Sequence, residues 1–225
     1  MKKQIKEFVL SLGADVCGVA NIDRFSEAPV GFHPQDIFPG CQSVIVFGIA
    51  LPKGLTRVEP RLIYGYFNNS ICPEVDKVAL NAAKEMERLY GGYAVPLPSD
   101  APYEYWDPKK MEGRGLISMK HAAVLAGLGT LGKSTLLLND KYGNLLTLGA
   151  ILTDLDLESD PLAQNICIDS CSLCIQSCPV QALNGDWANQ AKCRPNTYGT
   201  NARGFDVVNC NQCRTVCPMR YGKLK

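Results

Sequence analysis

The run Cys167-Ile-Asp-Ser-Cys171-Ser-Leu-Cys174-Ile-Gln-Ser-Cys178-Pro179 decides how the last part of this chain folds. A lone Cys193 follows, and then the shorter run Cys210-Asn-Gln-Cys213-Arg-Thr-Val-Cys217-Pro218. The two runs and Cys193 account for all but three of the chain's 11 cysteines, and each run ends in Cys-Pro. Two [4Fe–4S] clusters need four thiolates each, which is the number present here. The sequence therefore predicts an iron–sulfur electron carrier.

The order of the cysteines assigns each of them to one of the two clusters. In two-cluster ferredoxins, the cysteine that precedes the proline binds the other cluster. By that rule the first cluster has the ligands Cys167, Cys171, Cys174 and Cys217. The second cluster has the ligands Cys178, Cys193, Cys210 and Cys213. The first gap is three residues rather than two, so either the loop after Cys167 bulges or a scattered cysteine replaces Cys167. The scattered cysteines are Cys17, Cys41 and Cys72.

Two other uses of cysteine agree less well with the sequence. Zinc sites use Cys-x2-Cys pairs, but they do not require Cys-x3-Cys-Pro endings. Disulfides belong mainly to exported proteins, and the N-terminal residues 1–7 contain no apolar signal segment. Reduced cysteines without an export signal predict a cytoplasmic protein.

The bulk composition is that of an ordinary globular protein. The chain has 225 residues, a net charge of +1 and 20% charged residues, which is enough for one large domain or two modest ones. It lacks the basic excess that binding to a phosphate backbone normally requires, which argues against tRNA as a partner. No run of 18 or more apolar residues predicts a membrane span.

Hydrophobic periodicity predicts an α/β fold over residues 1–160, followed by a cluster-binding domain over 161–225. We expect strands at 15–20, 43–50 and 145–153. We expect helices at the N-terminus, at 73–90 with Pro73 in the first turn, and at 118–126. The acidic turn 154–161 is the predicted domain boundary. We expect the segment 95–115 to form a long surface loop, and such loops are often functional.

The glycine-rich segment Gly127-Leu-Gly129-Thr-Leu-Gly132-Lys133-Ser134 matches the P-loop pattern. A P-loop fold needs several further βα units after the motif, and the cysteines begin too soon for them. We therefore interpret the segment as a tight turn that lets the backbone approach another cofactor.

Several segments together resemble the epoxyqueuosine reductase family. The resemblance is carried by 126–135, by 142–154, by the cysteine block, and by the opening segments 12–20 and 38–44. It implies a nitroreductase-like α/β domain followed by a bacterial-type ferredoxin-like domain with two [4Fe–4S] clusters. It also implies a base-off cobalamin in the α/β domain. The matching positions for the corrin site are Gly127, Gly129, Gly132 and Lys133.

The chain departs from this family at two places. Gly113 stands where the family has its catalytic aspartate, so the catalytic residue is unknown, although Glu112 or Asp107 could approach from the same loop. The sequence also stops at Lys225, without the extensions that some family members use to grip tRNA.

Two functions follow from these observations. The first is an oxidoreductase that passes low-potential electrons through both clusters to a cofactor, for which cobalamin is the candidate, or to a substrate in the N-terminal domain. The second is a dedicated electron-transfer protein that reduces a corrinoid protein or another enzyme. Either needs a redox partner, and a ferredoxin or flavodoxin is the expected donor. Tyr64 and Tyr66 are predicted in the core, whereas Tyr103, Tyr105 and Trp106 could either cap a macrocycle or close the core.

Overall fold

A four-stranded antiparallel sheet lies at the centre of the N-terminal part, and its neighbouring strands are, in order, Val16–Asn21, Ser43–Ala50, Leu146–Thr153 and Ala94–Leu97. The computed structural model describes residues 1–223. The helices are α1 (Lys2–Ser11), α2 (Pro34–Ile37), α3 (Leu62–Tyr90), α4 (Met119–Leu125), α5 (Leu173–Gln176), α6 (Gln190–Thr197) and α7 (Gln212–Thr215). The strands are β1 (Val16–Asn21), β2 (Ser43–Ala50), β3 (Ala94–Leu97), β4 (Tyr105–Asp107), β5 (Glu112–Arg114), β6 (Thr130–Leu131), β7 (Leu137–Leu138), β8 (Leu146–Thr153), β9 (Tyr198–Thr200) and β10 (Asp206–Val208).

The sheet is covered on both faces, which explains the uninterrupted apolar sequence of β2. Ile45 and Phe47 pack with residues of α1 and α3 on one face. Val44 and Val46 pack with residues of α4 on the opposite face. Because successive side chains of a strand point to opposite faces, a central strand between two layers must be apolar at every position. The mixed α/β class is confirmed, and so are the strands predicted at 15–20, 43–50 and 145–153 to within one residue.

Helix α3 is longer than predicted. It begins at Leu62 and continues through Pro73, where the sequence predicted its first turn. Its first turns are fixed by packing, because Tyr64 and Gly65 are buried and a Cβ on Gly65 would lie 3.0 Å from the Val208 backbone nitrogen. Proline removes one helical hydrogen bond, and tertiary contacts offset this loss here. The core position predicted for Tyr64 is confirmed, whereas the same prediction for Tyr66 is wrong, since that side chain is 69% exposed.

The cysteine-rich segment packs directly against the sheet-containing part. Val208 of β10 shares a hydrophobic cluster with Leu51 and Leu145, and Asn144 Nδ2 donates to the Arg214 carbonyl at 3.1 Å. The predicted boundary segment 154–161 is also attached to strand β1, because Asp160 accepts a hydrogen bond from the Val19 backbone N–H at 3.1 Å. The division into two domains and their nitroreductase-like and ferredoxin-like character stay predictions. Among residues 1–223, no helix is long and apolar enough to cross a bilayer.

Candidate functional site

The four cysteines predicted to bind the first cluster line one small cavity. Its apolar wall comes from Leu138, Ile168, Leu173, Pro218 and Met219, and the thiols of Cys167, Cys171, Cys174 and Cys217 border the same space. None of the four is in a disulfide. Four thiols around an apolar hollow suit a cubane cluster, which needs one thiolate at each iron.

The loop between Cys167 and Cys171 accommodates the irregular gap of three residues. Lys133 Nζ donates hydrogen bonds to the carbonyl oxygens of Asp169, at 2.5 Å, and of Cys171, at 3.0 Å. These bonds hold the loop against the turn that contains Lys133. Cys167 lines the cavity, and its role as a cluster ligand stays a prediction.

The scattered cysteines lie elsewhere. Cys17 and Cys41 are buried in the two cores that cover the sheet. Burial raises the pKa of the Cys17 thiol to about 12 and that of Cys41 to about 11. Such thiols stay protonated and act as small apolar side chains. Cys72 lies on α3, and none of the three lines the cavity of the first cysteine set.

The second predicted set is also gathered in one place. Burial raises the pKa of the Cys213 thiol to about 11; Arg214 lowers it, and the nearby Cys193, Cys210 and Cys178 raise it further. Such influence indicates that the other three thiols lie within electrostatic range of Cys213. Within residues 1–223, no three Cys, His, Asp or Glu side chains converge closely enough for a single metal ion. The assignment of ligands stays a prediction.

A second and larger cavity, of about 840 Å³, lies beside α4. This volume is typical of sites for small molecules and cofactors. Its wall is mostly apolar and is built from four separate parts of the chain: residues within 24–32, 97–103 and 113–125, together with Gln190.

The large cavity adjoins the second cysteine set. Gln190 lines it from α6, three positions before Cys193 on the same helix. Lys120 lines it from α4; burial lowers the pKa of Lys120, and the nearby Cys213 opposes that shift. No cysteine of either set lines this cavity itself.

Seven titratable residues line the large cavity, among them Asp100, Tyr103 and His121. His121 Nδ1 lies 2.6 Å from Ser118 Oγ, and burial, followed by the charge of Lys120, lowers the pKa of His121. His121 is therefore neutral at pH 7. The Tyr103 hydroxyl donates to Asp100 Oδ1 at 2.7 Å. These are polar groups that could orient a bound molecule.

The two acids suggested as replacements for the family's aspartate do not line the cavity. Asp107 Oδ1 accepts hydrogen bonds from the backbone N–H groups of Lys109 and Lys110 at 2.9 and 3.1 Å, and so closes the β4–β5 turn. Glu112 lies opposite Asp107 in the same hairpin. Gly113 does line the cavity, but it supplies no acid.

The glycine-rich turn contacts protein rather than the large cavity. Gly127 has φ +74°, and a Cβ there would collide with the Pro161 carbonyl oxygen. A Cβ on Gly129 would collide with the Leu138 carbonyl oxygen. Gly132 and Lys133 border the cavity of the first cysteine set. None of the four lines the large cavity, so the structure places the residues matched to the corrin site away from it.

Most residues that line the large cavity carry no local motif, although Tyr103, which the sequence suggested as a cap for a macrocycle, is among them. They come from four segments that only the folded chain brings together. One signal was available: the predicted loop 95–115, which supplies Pro98, Ser99, Asp100, Tyr103 and Gly113 to the wall.

The chain is similar in sequence to several epoxyqueuosine reductases. It is 34% identical over 215 residues to the one from Gloeobacter violaceus, which covers 89% of this chain and 63% of the relative. It is 29% identical over 213 residues to the one from Listeria monocytogenes, which covers 84% of this chain and 51% of the relative. No protein-family model matches the chain.

The chain is therefore similar to epoxyqueuosine reductases over most of its length. It spans between about half and two thirds of the length of the two relatives named above. The solved epoxyqueuosine reductase from Streptococcus thermophilus has the same fold over all of this chain, with a TM-score of 0.70 at 18% identity, and 68% of that protein is covered. A catabolic reductive dehalogenase superposes on 96% of this chain with a TM-score of 0.73, at 18% identity and over 31% of its own length.

Proposed function

We propose that this chain is a member of the epoxyqueuosine reductase-like family and an iron–sulfur oxidoreductase of the cytoplasm. In this proposal, two [4Fe–4S] clusters pass low-potential electrons to a cobalamin in the large cavity. The observation that carries the proposal is that Gln190, which lines this cavity, lies three positions before Cys193 on the same helix. A cofactor bound there would lie next to its source of electrons.

The chain's own residues would do three things. The two cysteine sets would bind the clusters, and Leu138, Ile168 and Leu173 would keep water from the first of them. Helix α4 would lie between the cofactor and the second cluster, because its Lys120 lines the cavity and also lies within electrostatic range of Cys213. When bound, the clusters supply one-electron transfer and the cobalamin supplies a low-potential cobalt centre.

The wall of the large cavity is compatible with a corrin ring. It is mostly apolar, and its polar groups include Ser99, His121 and Gln190, which could meet the amide side chains around the ring. A structural neighbour, a reductive dehalogenase with a TM-score of 0.71, is described as the basis of a mechanism for B12-dependent dehalogenation. The cavity, rather than the turn at 127–133, is therefore the corrin site that we propose.

The alternative function is electron transfer to a separate corrinoid protein or enzyme, with no substrate bound by this chain. An N-terminal part without an open cavity would favour this alternative. The structure instead has an open cavity, which Gln190 of helix α6 helps to line. We therefore favour the oxidoreductase. Its electron donor would be a protein of the ferredoxin or flavodoxin type.

Filling the cavity provides a test of this proposal. Ala28 lines the cavity, whereas Val30, two residues along, is fully exposed. Replacing Ala28 by tryptophan should weaken the binding of hydroxocobalamin by roughly tenfold or more, because the indole would take up volume that the ligand needs. Val30→Trp adds the same side chain outside the cavity and should bind as the unaltered protein does.

The measurement is an anaerobic titration of reconstituted protein with hydroxocobalamin, followed by its visible spectrum. If the unaltered protein causes no spectral change, cobalamin is the wrong cofactor. If Ala28→Trp and Val30→Trp bind it equally well, the corrin site lies elsewhere.

A further inference from the structure

Residues 100–116 form a flap over one side of the large cavity. They contain the β4–β5 hairpin, in which Trp106 lies opposite Gly113. Tyr103 and Gly113 both contribute to the cavity wall. The position of this flap therefore sets the shape of the cavity and the access to it.

The hydrogen bonds that fix the flap all lead to one short helix. Among residues 1–223, every hydrogen bond from the flap to the rest of the chain goes to Gln190 or Arg194 of α6. The Gln190 carboxamide accepts from the Gly113 N–H and donates to the Gly113 carbonyl, both at 3.0 Å. Arg194 Nη2 donates to the Tyr103 hydroxyl at 3.1 Å.

Arg194 also holds the aromatic side chains of the flap. Its guanidinium carbon lies 5.2 Å from the centre of the Tyr103 ring and 5.1 Å from that of Trp106. The two rings are stacked on each other, with centroids 5.9 Å apart. This arrangement is a cation–π contact with two partners. Arg194 donates as well to Gln190 Oε1 at 3.1 Å, which links the two anchoring residues.

Helix α6 depends on contacts with its neighbours. It is eight residues long and none of them is buried. A helix this short is not stable by itself, and its position must come from tertiary contacts. The carbonyl of its last residue, Thr197, accepts a hydrogen bond from the Asn209 N–H at 2.7 Å. Its other attachments include the flap and Cys193, a predicted ligand of the second cluster.

We propose that Gln190 and Arg194 are positioning residues that couple the second cluster to the cavity. Binding of Cys193 to iron would fix α6, and α6 would fix the flap through these two side chains. Assembly of the cluster and closure of the cavity are then linked, and each favours the other by the same factor. This inference rests on the proposed function, because it requires Cys193 to be a cluster ligand.

The flap carries its own site for a test, since Lys109 and Lys110 lie between its two strands. Exposed loop tips are preferred sites of proteolysis, and cleavage becomes faster when local structure opens. The experiment measures the rate of tryptic cleavage after Lys109 and Lys110 by mass spectrometry. Cleavage after Lys84, in the core helix α3, reports unfolding of the whole chain in the same sample.

The comparison uses three proteins, each with and without reconstituted clusters: the unaltered chain, Arg194→Gln, and Lys192→Gln as the matched control. Lys192 is exposed on the same helix, and its side chain makes no hydrogen bond or ion pair in the described residues. With clusters present, Arg194→Gln should speed flap cleavage by roughly tenfold, the effect of losing a charged hydrogen bond. Removing the clusters should speed flap cleavage in the unaltered chain, and Arg194→Gln should then add little.

Three results would overturn the inference. One is equal flap cleavage in loaded Arg194→Gln and loaded Lys192→Gln. Another is flap cleavage at the same rate with and without the clusters. The third is an equal increase in the cleavage rates at Lys84 and at the flap when the clusters are removed. Iron analysis of the same samples separates the two proposals: an absence of iron in all variants would refute the proposed function, whereas bound iron with an unresponsive flap would refute only the coupling.

Discussion

Replacing Cys213 by alanine is expected to lower the iron content of the anaerobically reconstituted protein from about eight to about four atoms per chain. Cys213 lies among the thiols of the second set. When a cubane cluster loses one of its four thiolates, one iron is exposed to solvent and the whole cluster dissociates more easily from the protein. The first set has its own cavity and its own four cysteines, so it should keep its cluster.

Iron and sulfide analysis gives the readout, and two further variants make it specific. Cys217→Ala should also leave about four iron atoms, because it removes a ligand of the first cluster instead. Cys72→Ala is the control and should keep the full iron content, since Cys72 lies on α3 outside both sets. A full content in Cys213→Ala, or a loss in Cys72→Ala, would contradict the assignment of ligands.

Gly127→Ala should destabilise the protein by about 3 kcal/mol or more. The left-handed backbone at φ +74° costs a non-glycine residue roughly 1–2 kcal/mol. The new methyl group would also collide with the Pro161 carbonyl oxygen, and that oxygen belongs to rigid backbone. Overpacking of this kind adds about 1–3 kcal/mol.

Gly204→Ala provides the matched control for this prediction. Gly204 also has a positive φ, of +81°, but no atom lies within 4 Å of the place its Cβ would take. The stability of Gly204→Ala should therefore fall only by the cost of placing a non-glycine residue in the left-handed backbone conformation. Urea unfolding of the two variants, followed by circular dichroism, measures the difference. Equal stability of both variants would return Gly127 to the role that the family resemblance implies, as a contact for a cofactor.

The cysteine spacing predicted which thiols come together because cluster geometry restricts where ligands can stand along a chain. The apolar run at 43–50 predicted its strand for a similar reason, since a buried central strand has no polar face. The glycine-rich turn is open to two interpretations. Gly127 and Gly129 are required by close approach of the Pro161 and Leu138 carbonyl groups, and a sequence motif cannot distinguish such contacts from those to a ligand.

The large cavity could not be predicted, because its wall depends on contacts between residues far apart in sequence. Tyr103 and Trp106 were open to two interpretations for the same reason. Their environment is set by Arg194, which lies about 90 positions further along the chain. A local sequence pattern indicates which roles a residue could have. Which of these roles applies depends on the residues that it contacts, and these contacts are known only from the fold.

The unequal placement of the two cysteine sets has a consequence for how the chain could manage charge. Gln190 links the large cavity to Cys193 of the second set, whereas the first set has its own cavity. If both sets bind clusters, as we propose, the second cluster would deliver the first electron and the first cluster would hold another. A molecule in the cavity could then receive a pair of electrons in succession without a second visit from the donor. Such an arrangement suits the reduction of closed-shell compounds, which consumes electrons two at a time.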